Sequence, residues 1–131
     1  MSRDDAPANI RLVEQGRQLI LEYKDGTKYV LDAEFLRVET PSAEARGHFG
    51  QGGELPTGKR SVKITNVRKV GRYAIGIDYS DGHDSGIYTW EFLHHLGENR
   101  DKLWEAYLGK LRINGKSRDP EEQVLRLVDP Q

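Results

Sequence analysis

A phrase that occurs twice constrains the fold of this chain more than any other feature. The first copy reads LEYKDGTKYVLDAEFL, from Leu21 to Leu36, and the second reads IDYSDGHDSGIYTWEFL, from Ile77 to Leu93. Both copies contain Tyr-x-Asp-Gly, then an apolar strand-like stretch, then Glu-Phe-Leu. Asp-Gly favours tight hairpin turns because the pair tolerates the positive φ angles that such turns require. The repeat therefore predicts two hairpins, each leading into a short helix.

The rest of the hydrophobic pattern predicts further strands and a pair of helices. Alternating apolar side chains indicate strands at residues 18–23, 27–31, 62–70, 73–79 and 85–88. Asp32 and Thr89 are expected to cap the helices that follow the two hairpins, with Gly97 ending the second of these. Another helix is expected at about 101–113, where apolar residues recur at helical spacing. Strands that precede helices predict an α+β fold: a small antiparallel sheet of hairpins with short helices and a C-terminal helical pair.

Within the strand at 73–79, the large and small side chains alternate. The large ones are expected to face the core, and the face that carries Gly76 is expected to be closely approached by backbone.

The composition suits one soluble domain. The 131 residues predict a flexible N-terminus at 1–14, a domain at 15–114 and a C-terminal tail at 115–131. No apolar run approaches the ~20 residues that a membrane helix needs. The chain has no cysteine, which excludes disulfides and thiolate metal ligands and favours the cytoplasm. A net charge of −1, without a nucleic-acid motif, predicts no nucleic-acid or membrane partner.

His83 is the residue of the repeat that is best suited to metal binding or acid–base chemistry. The equivalent position in the first copy is Thr27. Asp81 and Asp84 flank His83, and two carboxylates with an imidazole can bind a metal or perform acid–base chemistry. The preferred alternative is that Asp81 stabilises the turn while His83 bonds nearby backbone. No Ser–His–Asp order and no paired catalytic carboxylates stand out, so no enzymatic activity is predicted.

Three separated blocks of the chain resemble the gamma-butyrobetaine hydroxylase-like N-terminal domain family. They are LRVETPSAEARGH at 36–48, YSDGH at 79–83 and GIYTWEFL at 86–93. The resemblance covers about residues 15–113 and points to the small bacterial stand-alone members, formerly a domain of unknown function. In gamma-butyrobetaine hydroxylase, this domain precedes an iron- and 2-oxoglutarate-dependent catalytic domain and holds a structural zinc with three cysteines and one histidine.

The resemblance places the three zinc cysteines at Thr40, Ser42 and Ala45, and the zinc histidine at His83. A lone imidazole does not make a four-ligand zinc site. We therefore expect no zinc cofactor, and His83 is the single remaining candidate metal ligand. The resemblance does not extend to the catalytic domain, so hydroxylase activity is not expected either.

The resemblance also implies a link to iron or iron–sulfur enzymes, because the family domain occurs fused to P-loop ATPases that resemble iron–sulfur cluster carriers. The resulting hypothesis is a non-catalytic interaction or adaptor module with an unidentified protein partner, while homo-oligomer formation stays open. Its recognition edge is expected at Arg37, Ser42, Glu44, Arg46, His48, Asp81 and His83. One alternative is a metal- or small-ligand-binding protein that uses the His83 turn with Asp81, Asp84 and His48. Another is a small enzyme assembled from scattered residues.

Overall fold

The computed structural model describes residues 5–41, 55–84 and 86–120, and within them it has two three-stranded antiparallel sheets. The first sheet has the order β1-β2-β3 and the second the order β4-β5-β6. The strands are β1 Asn9–Val13, β2 Gln18–Glu22, β3 Lys28–Asp32, β4 Ile64–Val70, β5 Ala74–Tyr79 and β6 Gly86–Thr89. The helices are α1 Ala33–Val38, α2 Trp90–Glu98 and α3 Arg100–Asn114. The α+β prediction is confirmed, with the hairpins divided between two sheets.

The two copies of the repeated phrase form turns with the same hydrogen bonds. In the first turn, Tyr23 N donates to Thr27 O at 2.9 Å and Thr27 N donates to Asp25 Oδ1 at 3.0 Å. In the second turn, Tyr79 N donates to His83 O at 2.9 Å and His83 N donates to Asp81 Oδ1 at 3.1 Å. The chain therefore builds the same strand–turn–strand–helix unit twice, as β2-β3-α1 and β5-β6-α2.

The predicted helix caps differ in outcome. Thr89 Oγ1 accepts a hydrogen bond from Phe92 N at 3.0 Å, as predicted for the start of α2. The prediction for Asp32 is wrong, because its side chain makes no cap bond and instead accepts a bond from Gln18 Nε2 at 3.1 Å. Gly97 does not end α2, which continues to Glu98. A Cβ at Gly97 would lie 2.5 Å from the Tyr29 ring, so glycine allows this ring to pack on the helix.

The expected flexible N-terminus is wrong for the segment that forms β1. Asn9–Val13 pairs with β2 from Asn9 opposite Glu22 to Val13 opposite Gln18. A one-turn 3-10 helix, Glu14–Gly16, then joins β1 to β2. All three of its residues have positive φ, from 55° to 89°. The first sheet thus extends the repeated unit by one strand, as β4 does in the second sheet.

The main core lies between the two sheets and their short helices. Its fully buried members include Leu19, Leu21, Leu36, Ile77 and Leu93. Ile75, Ile77, Trp90 and Leu93 share this core, and the partly buried Trp104 packs against it. The apolar stripe of α3 packs against Val38 of α1 and forms with it a second, smaller cluster that contains Tyr107 and Leu111, with Leu108 at its border.

The exposed side of β5 is covered by a side chain and not by backbone as expected. A Cβ at Gly76 would lie 2.1 Å from an Arg68 guanidinium nitrogen. This guanidinium is held by Asp78 Oδ1 at 3.1 Å and by the backbone oxygen of Asp84 at 3.0 Å. Gly76 therefore leaves space for an ion-paired arginine that lies across the sheet.

The first residues of the C-terminal tail bond to the domain. Gly58 N donates to Ser117 O at 3.0 Å, and Arg60 N donates to Arg118 O at 2.9 Å. Arg118 also forms a bidentate ion pair with the buried Glu34. Residues 121–131 lie outside the described residues, so the boundary of the tail stays a prediction. In the described part of the chain, no helix is long and apolar enough to cross a bilayer.

Candidate functional site

Three segments that are distant in sequence meet at one polar corner. We call it the His83 corner and define it by Arg37, Thr40, Lys59, Asp81 and His83. Arg37 lies in the last turn of α1, Thr40 follows that helix, and Asp81 and His83 belong to the second repeated turn. Thr40 Oγ1 and His83 Nε2 are 3.1 Å apart, within hydrogen-bond distance. The corner therefore joins the two repeated units.

Asp81 holds the corner together through both carboxylate oxygens. Its Oδ1 accepts the backbone N–H of His83, while its Oδ2 accepts from Arg37 Nε at 2.9 Å and from Lys59 Nζ at 2.6 Å. Partial burial by itself would raise the pKa of Asp81. The Lys59 bond, the His83 N–H and the Arg37 charge outweigh burial and lower the pKa to about 2. Asp81 is thus a fixed anion that pairs with two cations.

His83 is a neutral base at physiological pH. Burial of the ring lowers its pKa below 6.5, and the Arg37 guanidinium lowers it further against the opposing charge of Asp81. The ring also packs near Tyr79, with centroids 6.1 Å apart. A neutral imidazole half-buried beside a threonine hydroxyl can donate or accept one hydrogen bond at the corner.

Two buried tyrosines connect, by hydrogen bonds, the elements that carry the His83 corner. Tyr88 OH donates to the backbone oxygen of Leu36 at 2.7 Å, and the Tyr79 and Tyr88 hydroxyls are 2.7 Å apart. Burial raises the pKa of Tyr88 to about 12 and raises the pKa of Tyr79 well above 10. Both phenols therefore stay protonated, and they link the end of α1 to the second sheet.

The Tyr88→Phe variant is expected to lower the free energy of unfolding by about 2 kcal/mol, because it leaves the Leu36 oxygen and the Tyr79 hydroxyl buried without this partner. Tyr79→Phe is the matched control, since the Tyr88–Leu36 bond survives and a loss of about 1 kcal/mol is expected. Urea unfolding measures both values. Equal losses would contradict the direction that we assign to this hydrogen-bond chain.

Acid is expected to weaken the corner in a defined pH range. Because the pKa of Asp81 is lower in the folded protein than its ordinary 3.8, its stabilising contribution is complete above pH 3.8 and is lost as the pH falls toward 2. Asp81→Asn should therefore flatten the acid limb of a plot of stability against pH. Asp101→Asn is the control, because the Asp101 side chain is 92% exposed. Identical acid limbs for the two variants would refute this role of Asp81.

The residues of the His83 corner do not fit the zinc site of the resembled family. Thr40 and His83 lie side by side, so the two matched positions do share one site. A threonine hydroxyl is, however, a poor substitute for a thiolate, and the chain contains no cysteine. Both oxygens of Asp81 face cations or a backbone N–H. Within residues 5–41, 55–84 and 86–120, no three His, Asp or Glu side chains group as metal ligands.

Part of the expected recognition edge comes together at the His83 corner. Arg37, Asp81 and His83 meet there, whereas Asp84 offers its backbone oxygen to Arg68 on the adjoining sheet. The other expected members lie outside the described residues: Ser42, Glu44, Arg46 and His48. Ala45 also lies outside them. The roles assigned to all these residues stay predictions.

Lys59 and the two tyrosines belong to this site, although the sequence pattern did not predict them there. Lys59 lies 22 residues before Asp81, and no local pattern marks such a pair. The tyrosines do carry a signal, because the repeat places Tyr79 two residues before Asp81, at the same position as Tyr23 in the first copy. Both of these tyrosines are buried.

The two equivalent units and the cysteine-free corner define a small α+β domain protein. The family model described as gamma-butyrobetaine hydroxylase-like, N-terminal, matches residues 10–94. The chain therefore belongs to the gamma-butyrobetaine hydroxylase-like N-terminal domain family. No curated protein matches it.

Solved structures of similar proteins share this fold. One solution structure determined by NMR is 42% identical, with 94% of this chain and 97% of that chain covered and a TM-score of 0.77. A second NMR structure is 36% identical over 100% of this chain and 98% of that chain, with a TM-score of 0.74. A crystal structure of a protein with unknown function from Acidithiobacillus ferrooxidans is 37% identical. It covers 70% of this chain and 91% of that chain, with a TM-score of 0.58.

Proposed function

We propose that this protein is a non-catalytic interaction module that binds a partner protein at the His83 corner. The observation that carries this proposal is the mutual pairing of the polar groups of the corner. Asp81 is held by Arg37 and Lys59, and the Thr40 hydroxyl lies within hydrogen-bond distance of the His83 ring. An acid–base catalyst works best with a pKa near the working pH. The pKa of Asp81, about 2, and the pKa of Tyr88, about 12, lie far from that range.

The exposure of the corner supports a role in contact. The side chains of Arg37, Lys59 and Asp81 retain between 15% and 23% of their accessible surface. The turn at Asp81 and Gly82 is exposed, whereas its backbone is fixed by the hydrogen bonds from Tyr79 N to His83 O and from Gly82 N to Tyr79 O. A rigid turn that presents partly exposed charges loses little entropy when a partner binds. Such a surface favours a partner with complementary charge.

Family membership motivates the partner class in this proposal. Because the family is named for gamma-butyrobetaine hydroxylase, we propose that the partner is an iron-dependent enzyme or a protein of iron–sulfur cluster assembly, in the cytoplasm. The module would act there as an adaptor, since a chain without cysteine has no thiolate with which to hold a cluster.

The test is capture of partners by the full chain, followed by measurement of affinity. The variant Asp81→Asn with His83→Ala is expected to weaken binding of the specific partner by about tenfold or more, or ~1.4 kcal/mol. The matched control is Asp101→Asn with His95→Ala, which makes the same changes on exposed positions of α3 and α2. A partner bound equally by both variants, or no specific partner at any salt concentration, would remove the proposal.

A second candidate function is the binding of a metal other than the family zinc, or of a small ligand, at His83. The lowered pKa of His83 favours it, because a neutral imidazole is the form that coordinates metals. Elemental analysis of protein purified without a histidine tag tests this function. Stoichiometric metal that disappears in His83→Ala would support it, and metal content unchanged by that substitution would eliminate it.

A further inference from the structure

An apolar groove lies between the outer edges of the two sheets. In the part of the chain that the structure describes, β1 pairs only with β2, and β4 pairs only with β5, so both are edge strands. The groove between them has a volume of about 650 Å³. Leu12 is 42% exposed, so apolar surface is accessible there. The apolar lining comes from both sheets and from the start of α2: Ile10, Leu12, Leu19, Val67, Ile75 and Trp90.

The outer edge of β4 is available for pairing with an added strand. The register between β4 and β5 shifts after Ile64 and is regular over residues 66–70, which extend over about 17 Å. Among the described segments, only β5 forms backbone hydrogen bonds with these five residues. The N–H and C=O groups on the outer side of such a strand can bond to an extended peptide. A groove beside the edge then accepts alternate side chains of that peptide.

The charges around β4 indicate the chemistry of a peptide that would fit. No Asp or Glu occurs between Leu55 and Ile77, a stretch that contains six Lys and Arg residues. Three of the six bond to carboxylates elsewhere in the chain: Lys59, Arg60 and Arg68. The remaining three form no ion pair with a described residue, and they lie before, within and after β4: Lys63, Lys69 and Arg72.

Lys69 lies on the groove side of β4. It stands opposite Ile75 in the register, as Val67 stands opposite Ile77, and alternate residues of a strand share one face. Arg68 lies on the other face, where Asp78 neutralises it. Lys69 is the one charged residue among the described residues that line the groove. A cation without a counterion beside apolar surface favours a ligand that combines apolar side chains with a carboxylate.

We propose that the groove binds an extended segment of a partner protein, added as a strand to the free edge of β4. The segment places apolar side chains in the groove and a carboxylate against Lys69. A second copy of the chain is disfavoured, because its own β4 would bring the same cations to the edge and like charges on paired strands repel. The proposal does not rest on the His83 corner, since none of the five residues of the corner lines the groove.

Titration of the full chain with a designed peptide, followed by NMR, tests this binding. The probe is a blocked seven-residue peptide of threonine with valine, glutamate and valine at positions two, four and six, which share one face of a strand. The matched peptide has lysine in place of glutamate. We expect the glutamate peptide to shift the amide signals of β4 and the methyl signals of Leu12 and Val67. It should bind about fivefold more tightly than the lysine peptide, as expected for one exposed charge pair.

A charge reversal in the protein provides the decisive comparison. Lys69→Glu is expected to reverse the preference, so that the lysine peptide binds more tightly than the glutamate peptide. The matched control is Lys102→Glu, which makes the same change at an exposed position of α3 and should leave the preference as it is in the wild type. Both positions are exposed, and unshifted signals of the core check that each variant retains the fold.

Three results would overturn the proposal. The first is the absence of shifts in β4 at millimolar glutamate peptide. The second is equal affinity for the two peptides, or a preference that Lys69→Glu does not reverse. The third concerns the protein without peptide: β4 signals that move with protein concentration would assign the groove to a second copy. Slow hydrogen exchange of the outer β4 amides in dilute protein would assign it to another segment of the same chain.

Discussion

Gly16→Ala is expected to lower the free energy of unfolding by about 3 kcal/mol or more, because two costs combine at this residue. Gly16 has a φ of +89°, which an L-alanine adopts only with strain. The added Cβ would also lie 2.4 Å from the carbonyl oxygen of Ile64. This oxygen belongs to the backbone at the start of β4, so the first sheet must shift relative to the second. Urea unfolding measures the loss.

Gly26→Ala is the matched control for this prediction. Gly26 has a similar φ of +93°, but a Cβ there would meet no atom within 4 Å. Its expected cost is about 1 kcal/mol, which reflects the left-handed backbone alone. The difference between the two variants isolates the contact between Gly16 and β4. Equal losses would mean that this contact does not hold the two sheets together.

The sequence predicts the hairpins and their helices because the signals are local. Asp25-Gly26 and Asp81-Gly82 specify their turns through bonds that lie within a few residues of each other. The cap at Thr89 depends likewise on an N–H three residues away. Such features need no knowledge of the rest of the fold.

The wrong predictions all depend on residues that are distant in sequence. Gly97 would end a helix on propensity alone, yet it lies within α2, where the Tyr29 ring occupies the space of the missing Cβ. Asp32 has the usual side chain for a cap, but Gln18 in the neighbouring strand takes one of its oxygens. Likewise, Asn9–Val13 carries little strand signal of its own and becomes a strand by pairing with β2.

The His83 corner could be predicted only in part for the same reason. The resemblance to relatives placed Thr40 and His83 at one site, and the structure has them 3.1 Å apart. The pairing of Asp81 with Arg37 and Lys59 joins three separate segments. No spacing rule identifies such a set of charges. It becomes visible only when α1 and the second repeated turn are brought together.

Arg118→Ala is expected to lower the free energy of unfolding by about 2 to 3 kcal/mol, because it leaves the Glu34 carboxylate buried without its partner. Arg118 donates to both Glu34 oxygens, at 2.8 and 2.7 Å, and Glu34 is only 7% exposed. The guanidinium also lies over the Trp104 ring, 5.1 Å from its centroid. Because the Arg118 side chain is partly exposed, the expected loss lies at or below the lower end of the range for buried pairs, about 3 to 5 kcal/mol. Thermal or urea unfolding of the full chain measures the loss.

A double-mutant cycle separates the ion pair from the packing on Trp104. If the carboxylate causes most of the loss, Glu34→Gln should make Arg118→Ala less costly by about 1 to 2 kcal/mol. Arg118→Lys keeps the charge but loses the bidentate hydrogen bonds to Glu34, so its loss of stability should lie between those of the wild type and Arg118→Ala. If the unfolding free energies lost in Glu34→Gln and Arg118→Ala sum to the loss in the double variant within ~0.5 kcal/mol, Glu34 and Arg118 are not coupled. In that case the tail would be held by Trp104 and by the bonds to residues 58–60, and the pair with α1 would contribute little.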